Sequence, residues 1–509
     1  MDVVYCYLAL FFAVLLIFRL QFVRCRVLPP SPLALPIIGH LHLIKNPLHE
    51  ALEKLSLRYG PIVYLRLGVQ SIVVVSSPSA VEECFTKNDI IFANRPRSLV
   101  GDILTYDYTS FVFAPYGHLW RSLRRLTVVE IFSSNSLQKL STIREEEVCN
   151  LLRLLYEVSN SGSQKVDLKF MFSLLAFNVI MKIVAGKRCV EGDAASVEMG
   201  RKHLQELKET FLPNVSMNMC DFLPILRWVG YKGLEKNMVK LHKRRDEFLQ
   251  SLIDDLRRKK TTPSSFNATP NVERGKMLLI ETLLSLQESE PDFYSDDVIK
   301  SIILLMFVAG TDTSGITLQR AMSLLLNHPQ MLQKVRAEID NHVEPGHLIG
   351  DTDLSKLPYL RCIVYETLRL YPTVPLLLPH FSYNDCTLGG YDIPRKTILL
   401  VNAWALHRDP KIWDDPNKFK PERFEATEGD REMFKFVPFG VGRRACPGAG
   451  MAIRTVSLAL GALIQCFEWE RVGLEMDMSY DFTPTLAMVK PLEAMCTPRK
   501  NLLKLLSQL

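Results

Sequence analysis

Cys446 stands in the run Phe439-Gly440-Val441-Gly442-Arg443-Arg444-Ala445-Cys446-Pro447-Gly448. Arg444 lies two residues upstream, and an apolar helical pattern lies downstream (Met451, Ala452, Val456, Leu458, Leu460, Leu463). Glycine lets backbone pass close to a flat ligand or turn through positive φ. Pro447 suits the first turn of a helix. Cys446 would then sit at a helix N-terminus, where free N–H groups and the macrodipole favour a thiolate. A thiolate held this way is a good ligand for iron. Alone, one cysteine is more often a small buried hydrophobe; the spacing of its neighbours reverses that.

A second set lies in Ala309-Gly310-Thr311-Asp312-Thr313-Ser314-Gly315. Ser295 reads as the N-cap of a long helix, with Asp296 and Asp297 in its first turn. The apolar run Ile302 to Val308 comes next. Glycines and hydroxyls inside a helix cost stability. A helix apolar all round and then abruptly polar suggests a local opening of the ladder over a reaction centre. Asp312 and Thr313, an acid beside an alcohol, are the candidate catalytic pair. Glu366 and Arg369 fall at i and i+3 on a helix, and Trp120 and Arg124 at i and i+4. Downstream lie Pro372 to His380 and Pro421-Glu422-Arg423-Phe424. Pro61 to Ser76 alternates and is β-branched, which predicts a hairpin of two strands. The chain beyond Ser76 reads mostly as helix.

The run ending at Gly448 matches, at each specified position, the F-x-x-G-x-R-x-C-x-G haem-binding signature of the cytochrome P450 family. The other segments match its W-x-x-x-R, A-G-x-D-T-[TS], E-x-x-R and P-E-R-F motifs, in family order. The sequence resembles that family over nearly its whole length. The resemblance implies a mainly α fold with small β-sheets that buries haem b between the helix carrying Thr313 and the loop carrying Cys446. Cys446 would be the axial ligand, a thiolate that favours O–O cleavage. Phe439, Gly442, Arg444 and Gly448 would complete the haem-binding loop. Trp120 and Arg124 would donate to a haem propionate, and His380 would reach one as well. Thr313 would hydrogen-bond the bound dioxygen, and Asp312 would help deliver protons through water. Glu366, Arg369 and Arg423 would form a buried triad. Such a triad is costly unless fully hydrogen-bonded, so its role would be to specify the haem-side core.

The implied activity is monooxygenation with dioxygen and NADPH as cosubstrates. No flavin or nicotinamide fingerprint is present, so the implied electron donor is NADPH–cytochrome P450 reductase. Arg121, Arg125, Lys435 and Arg443 are candidates for a basic docking face. Phe113 to Gly117 and Ala403 to Pro410 look like plant members, nearest to isoflavone 2′-hydroxylase-like enzymes and lignan methylenedioxy-bridge synthases. That implies hydroxylation or oxidative bridging of a plant phenolic such as an isoflavonoid, flavonoid or lignan; terpenoid and indolic substrates stay open. Pocket positions carried over from the family (Phe111, Phe211, Leu305, Val308, Val374, Leu376, Met488) are apolar and fit a small hydrophobic substrate. The alternative class is a non-oxygenating haem-thiolate isomerase or dehydratase, which usually lacks the acid–alcohol pair. A haem sensor would not need Thr313.

Composition agrees with a globular protein: 48% hydrophobic and 23% charged residues exclude disorder of the whole chain. The formal charge of +6 does not suggest nucleic acid, but fits a basic docking face or a membrane surface. Eleven cysteines without a C-x-x-C pair argue against zinc and fit a reducing compartment. His49-Glu50-Ala51-Leu52-Glu53 lacks the second histidine of a zinc protease motif. Val3 to Phe18 is apolar throughout and extends to Val23 if Arg19 snorkels. Asp2 precedes it, and Arg19, Arg24 and Arg26 come after it, so the positive-inside rule puts the N-terminus in the lumen. Residues 3–23 are therefore expected to be an uncleaved single-pass anchor in the endoplasmic reticulum membrane, with 28–39 a proline-rich hinge and 40–509 one cytosolic catalytic domain. The sequons at Asn214 and Asn267 would stay unmodified. The charge runs His242 to Arg245 and Arg257 to Lys260 read as solvated helix faces.

Overall fold

A computed structural model describes residues 26–160, 162–189, 197–212, 218–261, 278–425, 433–481 and 485–509. The expected anchor, both sequons and the loop after Thr261 lie outside them. The described chain is mostly helical, with three small sheets. Leu168–Ala185 and Ala449–Cys466 are long and apolar enough to cross a membrane, yet 89% and 72% of their apolar windows are buried inside the protein. They are core helices, apolar all round because protein surrounds them. Asp167 caps the first by accepting from Phe170 N, and Gly186, at φ 67°, ends it in the left-handed conformation.

Between these two runs the helix that carries the acid–alcohol pair. Ser295 caps it, accepting from Val298 N. It is interrupted at Thr311, so that Asp296–Gly310 and Asp312–Asn327 are separate segments, as the composition of the stretch led us to expect. Gly310 permits close packing: a Cβ there would stand 2.6 Å from Ile180 Cδ1.

The predicted hairpin is present. Ile62–Leu67 and Gln70–Val75 pair antiparallel, with Ile62 opposite Val75. Gly68 turns the corner at φ 55°, and a Cβ there would lie 2.0 Å from Phe222 O. Thr397–Val401 adds in parallel, and His380–Phe381 closes the sheet antiparallel to it. The proline-rich segment is strapped to this sheet: Tyr64 N donates to Pro30 O at 3.0 Å, and the Arg66 N–H donates to His40 Nδ1 at 2.8 Å.

The charge runs need correction. Arg245 is buried and donates to Thr210 O and Phe211 O at 2.8 and 3.2 Å. It satisfies carbonyls at the end of the Val197–Phe211 helix, which a guanidinium with five donors does well. Arg257 pairs with Asp296 at 2.6 Å and ties Leu234–Thr261 to the start of the interrupted helix.

Candidate functional site

Cys446 sits in a loop closed by its own N–H, which donates to Phe439 O at 2.9 Å. Gly440 and Gly442 take φ of 68° and 74°, and a Cβ on Gly442 would meet Asp89 Oδ1 at 2.7 Å. The next helix, Ala449–Cys466, starts later than Pro447 suggested; Gly448 is its N-cap and Cys446 lies two residues before that cap. The helix end still serves the sulfur. Burial pushes the Cys446 thiol up, while the Gly448 and Ala449 N–H groups and the Arg124 guanidinium oppose that rise. All nine described cysteines are free, and Cys446 alone among them is exposed. A sulfur both accessible and desolvated faces a recess rather than open solvent. Without a metal it is a thiol; binding to iron would release its proton.

Beside this loop is a group of guanidiniums. Arg444 gives its donors to Ala93 O (2.7 Å), Phe111 O (3.0 Å) and Ala114 O (2.6 Å), and its cationic carbon lies 4.6 Å from the Trp120 ring centroid. Burial, then the charges of Arg95 and Arg124, push its pKa down to about 9. Arg95, half-buried, donates to Val112 O, Leu378 O and Pro379 O. Carbonyls satisfy donors but cancel no charge. Among the described residues no carboxylate pairs with Arg95, Arg124 or Arg444, and the buried Trp120 Nε1 has no hydrogen-bond partner. An orphaned donor beside unanswered cations fits an anionic ligand.

His380 lies within reach of the same charges, but its ring is differently committed. Nδ1 bonds Phe92 O at 2.9 Å, and a carbonyl can only accept, so Nδ1 carries the proton. Burial and Arg95 hold the pKa well below the usual histidine range. The neutral ring then leaves Nε2 as an acceptor, which cannot donate to a carboxylate. Arg95, which the sequence did not single out, has the cation that His380 lacks. Its signal, an arginine before a proline, is too common to find it.

On the interrupted helix, Thr311, Thr313 and Ser314 return their hydroxyls to Phe307 O, Ala309 O and Gly310 O at 2.7, 2.8 and 3.2 Å. Val308 and Ala309 are exposed although Phe307 and Thr311 are buried, so the interruption presents one accessible face. Burial raises the Asp312 pKa, against Lys208, Lys169 and a hydrogen bond from Thr485. Phe211, stacked on Phe307 at 4.7 Å, and Met488 are core; Leu305, Val308, Val374 and Leu376 keep accessible surface.

The Glu366 triad forms, separate from the cation group. Arg369 Nε and Nη2 grip Glu366 at 2.6 and 2.8 Å. Nη1 donates to His407 O and Pro416 O at 2.7 Å each, and Nη2 also to Lys418 O at 3.2 Å. Arg423 Nε reaches Glu366 at 3.3 Å. His407 then links the triad to the cysteine loop, because its Nε2 accepts from Val437 N at 2.9 Å.

The profile described as "Cytochrome P450" matches residues 29–497. The chain belongs to the cytochrome P450 family. It is 50% identical over 487 residues to cytochrome P450 81Q32 of Catharanthus roseus, covering 95% of this chain and 94% of that protein. It is 45% identical to a (+)-piperitol/(+)-sesamin synthase of Sesamum radiatum, over 100% of this chain and 99% of the other. An isoflavone 2′-hydroxylase of Medicago truncatula is 41% identical, over 97% and 96%. A zebra fish cytochrome P450 solved with progesterone superposes with a TM-score of 0.74 at 29% identity, covering 89% of this chain and 100% of that one. Cytochrome P450 enzymes are haem-thiolate monooxygenases that use dioxygen and electrons derived from NADPH. The site fits that cofactor on its own evidence: an accessible sulfur at Cys446, unanswered guanidiniums for the propionates and a free Trp120 N–H.

Proposed function

We propose that this cytochrome P450 hydroxylates, or oxidatively bridges, a plant phenolic of the isoflavonoid, flavonoid or lignan class. The observation that carries the reading is near-full-length similarity to relatives named for isoflavone hydroxylation and sesamin synthesis. The apolar surface of Leu305, Val308, Val374 and Leu376 suits a flat aromatic substrate.

Haem, when bound, supplies dioxygen binding and O–O scission. The protein does the rest. Cys446 would supply the thiolate that holds the iron, in the loop that Phe439, Gly442 and Gly448 shape. Trp120, Arg124, Arg444 and Arg95 would hold the propionates. Asp312, raised by burial, carries protons inward, and the Thr313 hydroxyl turns from Ala309 O to donate at the oxygen site. Residues 3–23 anchor the chain in the endoplasmic reticulum membrane. An exposed apolar surface supports that placement: Ile37, Val69, Ile225, Trp228 and Val229 lie open, with Val69 N bonded to Phe222 O beside them. The electron donor is NADPH–cytochrome P450 reductase. Arg121 and Arg125 are exposed for its docking, whereas Arg443 is committed to Asp89 at 2.6 Å and Tyr116 at 2.8 Å.

The test is the full chain expressed in microsomes with a plant reductase and offered isoflavones, flavonoids, lignans, terpenoids and indoles. An NADPH-dependent oxidised phenolic is expected. Turnover of terpenoids or indoles alone would replace the substrate reading, and an NADPH-independent isomerised or dehydrated product would replace the reaction.

A further inference from the structure

Arg320 is fully buried two turns beyond Asp312, on the Asp312–Asn327 helix. Among the described residues it has no ion-pair partner. Its guanidinium instead spans two backbone limbs near the C-terminus. Nε and Nη2 both donate to Leu486 O, at 3.2 and 2.9 Å; Nη1 donates to Met478 O at 2.8 Å and Nη2 to Ser479 O at 3.3 Å. The face of the cation rests on Tyr371, 4.5 Å from the ring centroid. A charge without a counter-charge is costly to bury, and four bonds to carbonyls on both limbs are what it gains.

The limbs are tied to the segments that line the site. Met488 accepts from Ser323 Oγ at 3.5 Å, and Leu486 N donates to Thr373 O at 3.1 Å, at the head of the segment with Val374 and Leu376. Thr373 is itself within 3.3 Å of Thr317 on the Arg320 helix. Thr485, next to Leu486, bonds Asp312. We propose that Arg320 is a positioning residue for the substrate-facing wall: through the core residues Leu486 and Met488 it fixes the Thr373–Leu376 segment against the helix bearing Asp312 and Thr313, and so sets how large a ligand the pocket accepts. A planar fork is needed; lysine, a point charge on a flexible stem, cannot span three carbonyls.

The inference rests on the haem site, and two ligands separate them. Imidazole, small, and 4-phenylimidazole, large, both bind a haem iron and shift its absorption. Failure of wild-type protein to respond to imidazole would indict the haem site, not Arg320. In R320K and R320Q the ferrous–carbonyl band of thiolate-ligated haem should persist. Affinity for 4-phenylimidazole should fall about tenfold or more while imidazole stays within about twofold, since only the larger ligand meets the wall. Equal losses for the two ligands, no loss for either, or disappearance of the band in both arginine variants would overturn the proposal.

Discussion

Two groups of arginines differ in what answers their charge. Around Glu366, Arg369 uses all five N–H donors, and the carboxylate meets Arg423 and the Lys420 N–H as well. That network is complete within the protein. Arg95, Arg124 and Arg444 have carbonyl acceptors at most; the charges of Arg95 and Arg124 add to burial in depressing Arg444, and the group adjoins a donor, Trp120 Nε1, with no acceptor. That network is unfinished. A closed network specifies structure; an open one keeps its electrostatic demand for a ligand.

The largest expected effect falls on the closed side. Glu366→Gln leaves two buried guanidiniums without a counter-charge and should cost about 3–5 kcal/mol, a large share of a domain's stability. Thermal unfolding and soluble yield measure it; a variant as stable as wild type would break the contrast. On the open side, Thr313→Ala should lower product formation by about a hundredfold, the low end for a positioned proton-transfer group, while unfolding temperature and the thiolate-haem band stay put. Trp120→Phe would remove the proposed hydrogen bond to an ionised propionate, worth about 1.5–3 kcal/mol. Haem transfer to an acceptor globin should accelerate about tenfold or more, yet the haem-free protein should be no less stable. Equal destabilisation of both forms would return Trp120 to the scaffold.

The smallest effect is acid sensitivity on the closed side. Burial, then Arg369, hold His407 down to about 3. Its folded value lies below the unfolded one of about 6.5, so the unfolded chain binds the proton first. The contribution is whole well above pH 6.5 and is lost as pH falls towards 3; by pH 5 the loss is about 2 kcal/mol. His407→Gln, which keeps an acceptor for Val437 N, should flatten that part of the urea-unfolding pH profile.

What the sequence disclosed was local. The Cys446 run, the polar break at Thr311 and the hairpin from Ile62 to Val75 are encoded in neighbouring residues. Glu366, Arg369 and Arg423 were legible because two short motifs accompany each other. What stayed hidden depends on distant partners. Arg95 is held by carbonyls 283 and 284 residues away in sequence, and Arg320 by carbonyls 158 to 166 residues away. The Arg245 run looked solvated because polarity alone cannot foretell a helix end packing over it. The start of Ala449–Cys466 came later than proline suggested, because Gly448 takes the cap.

The central claim is a bond from the Cys446 sulfur to haem iron, framed by cations that wait for its propionates. The decisive measurement is the ferrous–carbonyl difference spectrum of purified wild-type and Cys446→Ser protein, with haem content assayed in parallel. The wild type should give the red-shifted band of thiolate ligation, and the serine variant should lose it whether or not haem is retained. Persistence of that band in Cys446→Ser would contradict the account.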